Sequence, residues 1–80
     1  MSADQLLAAY RVRPFVPFRL NLSDGRSFPV PRPENLLVTT RTAVVGVYPV
    51  GPLDDRSFAD RAETIHLIHI VSLEPLAQNA

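Results

Sequence analysis

The 80-residue sequence contains no cysteine, no tryptophan and no lysine, and its formal net charge at pH 7 is zero. Without cysteine, the chain can build neither a disulfide framework nor a thiolate metal site. With zero net charge and only arginine as its basic residue, it lacks the broad basic excess typical of nucleic-acid-binding domains. No apolar run approaches the roughly 20 residues that a membrane span requires. The N-terminus also lacks a secretory signal pattern, so we expect a cytoplasmic protein with no membrane partner.

Eighty residues correspond to one domain with a single core. A chain of this length buries only about 60% of its unfolded surface. Apolar residues nevertheless make up 46% of the sequence, a generous share for so small a domain. This excess favours either a tightly filled barrel or a surface that a second subunit completes.

A short helix is predicted over residues 3–12. Ser2 is a suitable N-cap, and Gln5 three residues later completes a capping-box pattern. Pro14 prevents the helix from continuing. A helix of about three turns is unstable alone in water, so it is expected to dock on a sheet.

The central feature is a predicted β-hairpin over residues 15–31, turning at Asp24-Gly25. A two-residue turn would place Phe28 on the polar face of the hairpin. A three-residue loop with Gly25 in a left-handed conformation instead pairs Leu20 with Phe28 and buries both. Because a slip of one residue would expose the apolar set, the longer loop is predicted, with Gly25, Leu20 and Phe28 as the structural residues.

Four further strands complete the expected fold. Pro33 could begin one helical turn between the hairpin and the third strand. The apolar block near the C-terminus is too long for one strand, and a turn around Ile68-His69 is expected to divide it. The predicted strands span residues 36–40, 43–48, 63–67 and 70–74, with a mobile loop over residues 49–61. The predicted class is mainly β (α+β), in which a short N-terminal helix precedes a bent five- or six-stranded antiparallel small barrel.

Two resemblances follow from these motifs. The pattern Leu20-x-Leu22-x-Asp24-Gly25-Arg26 and the step Asn35-Leu36-Leu37 resemble the first half of a small Sm-like β-barrel. Residues 13–34 also resemble a group of small uncharacterised bacterial proteins with the pattern RPFxPFxLxLxDGRxFxVPxPE. The first resemblance implies a fold and ring assembly by pairing of strand edges, whereas the second implies no activity.

The chain departs from the Sm-like pattern at two places. Pro29 and Pro31 lie where Sm-like proteins usually have a glycine in a bent second strand. The Arg-Gly step that helps to build the RNA site is missing from the block ETIHLIHI. The barrel is compatible with both departures, but RNA binding is less favoured.

The sequence offers no pattern for catalysis. His66 and His69 form an H-x-x-H pair, but no neighbouring acid or cysteine completes a set of three metal ligands. A Ser–His–Asp arrangement has no supporting spacing, and phosphate-binding glycine loops are absent. We therefore expect a non-enzymatic protein without a metal or cofactor, in which the histidines have structural, surface or pH-sensitive interface roles.

The sequence indicates two alternative kinds of partner, a protein or a single-stranded RNA. Prolines flank the hairpin and would block wrong edge pairing, whereas the fourth and last strands carry no such protection. These unprotected edges predict a homo-oligomer or a protein partner, contacted by Val44, Val45, Val47, Ile70 and Val71. The alternative is a single-stranded RNA-binding surface, formed by Arg19, Arg26, Arg32, Arg41 and Phe15.

Overall fold

The structure is a computed structural model that describes residues 1–49 and 58–76. The described residues form one α-helix, six strands and two short 3-10 turns, here named η1 and η2. Their bounds are α1 Ala3–Tyr10, β1 Phe18–Leu22, β2 Ser27–Val30, η1 Pro33–Asn35, β3 Leu36–Val38, β4 Thr42–Val47, β5 Arg61–His66, η2 Leu67–His69 and β6 Ile70–Pro75. Most of the predicted loop 49–61 lies outside the described residues, and its last residue, Arg61, is the first of β5.

Helix α1 begins with the expected capping box. The Ser2 hydroxyl accepts a hydrogen bond from the Gln5 amide (3.2 Å), and the Ser2 amide donates to the Gln5 side chain (2.9 Å). The helix ends at Tyr10, two residues earlier than the predicted residue 12. Leu6 is completely buried and Ala3, Ala9 and Tyr10 also pack against the core, so the helix is held by docking on the sheets.

The β1–β2 hairpin has the predicted register. Leu20 lies opposite Phe28 and Phe18 lies opposite Val30. The Leu22 amide donates to the Arg26 carbonyl (2.9 Å), which closes a three-residue loop. Gly25 in that loop has a φ of +91°, a backbone conformation that L-residues with a side chain rarely adopt. The parity argument from the sequence is therefore confirmed.

The six strands form two three-stranded antiparallel sheets, with the orders β2-β1-β6 and β3-β4-β5. The mainly β class and the short N-terminal helix are confirmed. In the described part of the chain, no strand pairing closes these sheets into a single barrel. The long C-terminal block is divided at η2, as predicted from its length.

The turn η2 connects the two sheets through the backbone. The Ser23 amide, which follows β1, donates to the His69 carbonyl (2.8 Å). The Leu67 amide donates to the Arg41 carbonyl (2.9 Å), just before β4. The shared core lies between the sheets and α1, and its buried members are Leu6, Phe18, Leu20, Leu22, Phe28, Val30, Leu36, Ala43, Val45, Ile65, Leu67 and Ile70.

Strand β4 differs from the sequence-based expectation in its place in the sheet. It is the middle strand and pairs with β3 on one side and β5 on the other, so the prediction that it offers a free edge is wrong. Its alternate residues Ala43 and Val45 are fully buried. Gly46 lies close to the segment before β5, because a Cβ at this position would lie 2.9 Å from the Cβ of Ala59.

None of the helices in residues 1–49 and 58–76 has both the length and the apolar character needed to span a bilayer.

Candidate interaction edges and a polar cavity

The two sheets have four outer strands, and two of them are poorly suited to pairing with another chain. β3 has only three residues. β2 contains Pro29, which lies opposite Arg19. Because the Leu22 amide bonds to Arg26 and donors alternate along an antiparallel strand, an amide at position 29 would point away from β1. The missing N–H therefore breaks no hydrogen bond between β1 and β2, and it removes a donor from the outer edge of β2.

The other two outer strands, β5 and β6, are longer and more open. Each has six residues, and they follow one another on either side of η2. The Leu67 amide donates to the Arg41 carbonyl, and backbone amides along an antiparallel edge strand point alternately towards and away from the paired strand. The Ala62 and Thr64 amides therefore point away from β4. On β6, the Leu76 amide donates to the Pro17 carbonyl (3.0 Å), which by the same alternation leaves the Leu73 amide pointing outwards. By the same alternation Pro75 falls at an outward position of β6 and has no N–H there, so β5 presents more backbone donors to an incoming strand than β6 does.

The residues predicted to contact a partner have different positions. Val45 and Ile70 are core residues, exposed by 0% and 2%, and cannot form a surface in this fold. Val44 and Val47 are half-buried on the central strand β4. Val71 is 61% exposed on the outer strand β6, next to the irregularity between Asn21 and Leu22 in its pairing with β1. Of the five, only Val71 combines exposure with a strand edge.

A polar cavity of about 300 Å³ lies beside the hairpin turn and η2. His66 and His69 both face it, with ring centroids 6.3 Å apart and an interplanar angle of 72°. The turn at η2 thus brings together two side chains that a continuous strand would place on opposite faces. His66 Nδ1 accepts a hydrogen bond from the Ile68 amide (3.4 Å) and so caps η2. No group of three metal-ligating side chains occurs among the residues that the structure describes.

An ion-pair chain runs along the rim of this cavity. The Asp24 carboxylate accepts hydrogen bonds from the Arg26 backbone amide (3.0 Å) and from the Arg26 Nε–H (2.7 Å). These two hydrogen bonds, the backbone one first, lower the pKa of Asp24 below its ordinary value. Asp24 in turn raises the pKa of Arg26. Glu63 accepts from Arg26 (3.3 Å) and from Arg61 (2.7 Å), which ties the hairpin turn to the start of β5.

The residues predicted for RNA binding lie in five separate segments, and three of the arginines contact acidic groups. Arg19 pairs with Glu74 (3.4 Å), Arg26 pairs with Asp24 and Glu63, and Arg32 lies 3.9 Å from Glu34. Arg32 also donates to the Tyr48 hydroxyl (3.0 Å).

The other two residues of this set do not complete a binding surface. Arg41 is exposed in the turn between β3 and β4. Phe15 packs against Phe18 with ring centroids 5.7 Å apart, so its half-buried ring contacts the core. The five residues therefore do not form one basic and aromatic surface.

Sequence reasoning missed one exposed aromatic residue. Phe58 is 83% exposed and lies shortly before β5. A large apolar side chain in a segment rich in proline, glycine and aspartate was the available signal. The prediction for this segment is a mobile loop, which assigns no role to Phe58.

Comparison with known proteins adds no relative. No family model matches the sequence, and neither the curated proteins nor the solved structures contain a significant match.

Proposed function

We propose that this chain is a small non-enzymatic assembly or protein-interaction module that self-associates through the edges of β5 and β6. The observation that carries the proposal is the contrast among the four outer strands. β2 has four residues and lacks a donor at Pro29, and β3 has three residues. β5 and β6 have six residues each, with outward-pointing amides at Ala62 and Thr64 on β5 and at Leu73 on β6, where Pro75 removes the next donor. Natural sheets protect the edges that must not pair. Two open edges on one small domain therefore favour pairing between copies.

The Sm-like small barrel is part of this proposal. Its support is the order of elements, in which a helix and a hairpin precede the second sheet and the last strand returns to pair with β1. The two backbone bonds of η2 hold the sheets together at one corner. A ring built by edge pairing is the assembly that the resemblance implies.

The proposal is tested by measuring the molar mass in solution by light scattering and sedimentation equilibrium over a range of concentrations. The wild-type chain is expected to form a defined oligomer. Thr64→Pro removes an outward amide of β5 without removing a bond to β4, and it is expected to weaken association. Thr64→Val keeps the amide and the branched shape and is the matched control. A wild-type chain that stays monomeric at its highest attainable concentration would exclude self-association through these edges.

A single-stranded RNA-binding function is the alternative, and the side-chain geometry supports it less. Three of the four candidate arginines contact carboxylates, so little positive charge is left for phosphate groups. The discriminating measurement is binding of labelled single-stranded RNA at low and moderate salt. Affinity that falls steeply with salt would favour this alternative, and absence of binding at low salt would eliminate it.

A further inference from the structure

Phe58 is presented to solvent at the beginning of β5. Its side chain is 83% exposed, the highest value among the large apolar residues in the described part of the chain. The following residue, Ala59, packs over Gly46, and the Asp60 amide donates to the Val47 carbonyl (3.0 Å). The backbone next to Phe58 is thus fixed to β4. An exposed ring beside an anchored backbone is a suitable contact for a partner, because little further ordering of the chain is needed on binding.

An apolar groove lies at the far end of the other open edge. A cavity of about 200 Å³ opens between the C-terminal end of α1 and the last residues of β6. Val12 and Val16 on its wall are 44% and 46% exposed. Small-molecule sites usually have about 300–1,000 Å³, so this groove suits one side chain better than a ligand. Its lining residues are Ala9, Val12, Val16, Phe18, Leu73, Glu74 and Pro75.

Antiparallel pairing of β5 with β6 of a second copy brings these two features together. The first residue of β5 then lies near the last residues of β6, where the groove opens. Neighbouring strands are about 4.8 Å apart, and the three-residue step from Phe58 to Arg61 spans about 10 Å. Because this step runs on past the end of β6, the aromatic ring is within reach of Pro75 and of Val16, the neighbour of the Pro17 that accepts from Leu76, on the second copy.

The charges at this end of the edges support the antiparallel direction. Arg61 begins β5, its side chain is 61% exposed and it pairs with Glu63 (2.7 Å). Glu74 lies near the end of β6, its side chain is 53% exposed and it pairs with Arg19 (3.4 Å). Antiparallel pairing places Arg61 beside Glu74 and joins these two ion pairs into one network of alternating charge, whereas parallel pairing would place Arg61 near Ile70 and move Phe58 away from the groove. Opposite charges on adjacent strands stabilise the pairing and fix its register.

We infer that Phe58 of one copy inserts into the groove beside Val16 and Pro75 of a second copy and anchors the pairing of their strand edges. This inference rests on the proposed self-association through β5 and β6. An aromatic side chain in a desolvated pocket is the type of contact that dominates the energy of many interfaces. Backbone pairing supplies the direction of the contact, and the ring supplies most of its affinity.

The first test measures the self-association constant by sedimentation equilibrium for the wild type, Phe58→Ser and Leu37→Ser. Leu37 is 62% exposed on β3, away from both open edges, and provides a matched control. Phe58→Ser is expected to weaken association by about tenfold or more, and Leu37→Ser is expected to leave it unchanged. Circular dichroism establishes that each variant is folded.

A crosslinking test locates the ring directly, because the chain has no native cysteine. Separately purified Phe58→Cys and Val16→Cys proteins are mixed and oxidised, and a disulfide-linked heterodimer is the expected product. The pair Leu37→Cys and Val16→Cys is the control and is expected to give no specific product.

The outcomes separate this inference from the function on which it rests. A monomeric wild type overturns both. Wild-type association that Thr64→Pro weakens and Phe58→Ser leaves unchanged, without the heterodimer, overturns the anchor and keeps the edge pairing. Loss of association with Phe58→Ser, together with the heterodimer, supports the anchor.

Discussion

Leu20 on β1 lies directly opposite Phe28 on β2, and both side chains are buried, with exposures of 0% and 8%. This pairing determines which face of the hairpin joins the core. It depends on a loop of three residues, since a loop of two would move Phe28 to the opposite face. The register of the hairpin is thus coupled to the conformation of Gly25, which closes that loop.

Gly25→Ala is expected to lower the free energy of unfolding by about 1–2 kcal/mol, the cost of a left-handed conformation in a residue with a Cβ. A Cβ at this position would meet no other atom within 4 Å, so the loss is conformational and not steric. Gly25→Asn is expected to lose less stability, because asparagine adopts the left-handed region more readily than alanine does. Gly25→Val is expected to lose more stability. Urea denaturation measures the three variants. Equal stability of the alanine variant and the wild type would contradict the assigned conformation.

Gly46→Ala is expected to destabilise the protein by about 1–3 kcal/mol through overpacking. The new Cβ would lie 2.9 Å from the Cβ of Ala59, which is closer than such contacts allow. Ala59→Gly removes that atom, so the double variant is expected to be more stable than the sum of the two single losses implies. Thermal and urea denaturation of the four proteins gives the coupling. Strictly additive losses would show that these two residues do not touch.

Asp24→Asn is expected to reduce stability slightly at neutral pH, with a difference that disappears in acid. Hydrogen bonds from Arg26 lower the pKa of Asp24 in the folded chain. A lowered folded pKa means that the carboxylate stabilises the fold above its ordinary pKa of about 4. This contribution is lost as the pH falls through the lowered value. Urea midpoints of both proteins between pH 7 and pH 2 measure it, and a constant difference over that range would contradict the assignment.

Pro29→Val is expected to leave the stability of the hairpin nearly unchanged while promoting association through β2. The replacement adds an amide that points away from β1, so no internal ladder bond is gained. The new donor extends an outer strand that otherwise pairs poorly. Static light scattering and urea denaturation of the variant measure the two effects separately. A variant with the solution mass of the wild type would show that Pro29 does not protect this edge.

The sequence predicted the elements better than the neighbours of each strand. Alternation and loop parity identify the hairpin register, because side chains on the two faces meet different surroundings. Which strands pair with β4 could not be predicted from side-chain patterns, because strands pair through backbone N–H and C=O groups that all residues except proline share. The apolar run over residues 43–48 was therefore compatible with an outer strand as well as with the central strand observed.

Positions that depend on tertiary contacts were also beyond the sequence. The prediction that Ile70 and Val45 contact a partner treated apolar strand residues as surface, and the packing of two sheets against α1 buries both. The groove beside Val16 combines residues from α1, the following segment, β1 and β6, and no local pattern brings these together. Phe58 by contrast carried a local signal, an isolated aromatic ring in a polar segment.

The three-residue turn η2 separates the two open edges, and its backbone bonds to Ser23 and Arg41 hold it rigidly between the sheets. Because β5 and β6 are unlike surfaces, copies that join them do so head to tail. The angle that η2 imposes between the two strands then sets the curvature of the growing assembly. If the repeated rotation closes after a whole number of copies, the assembly is a ring, and otherwise it is an open filament.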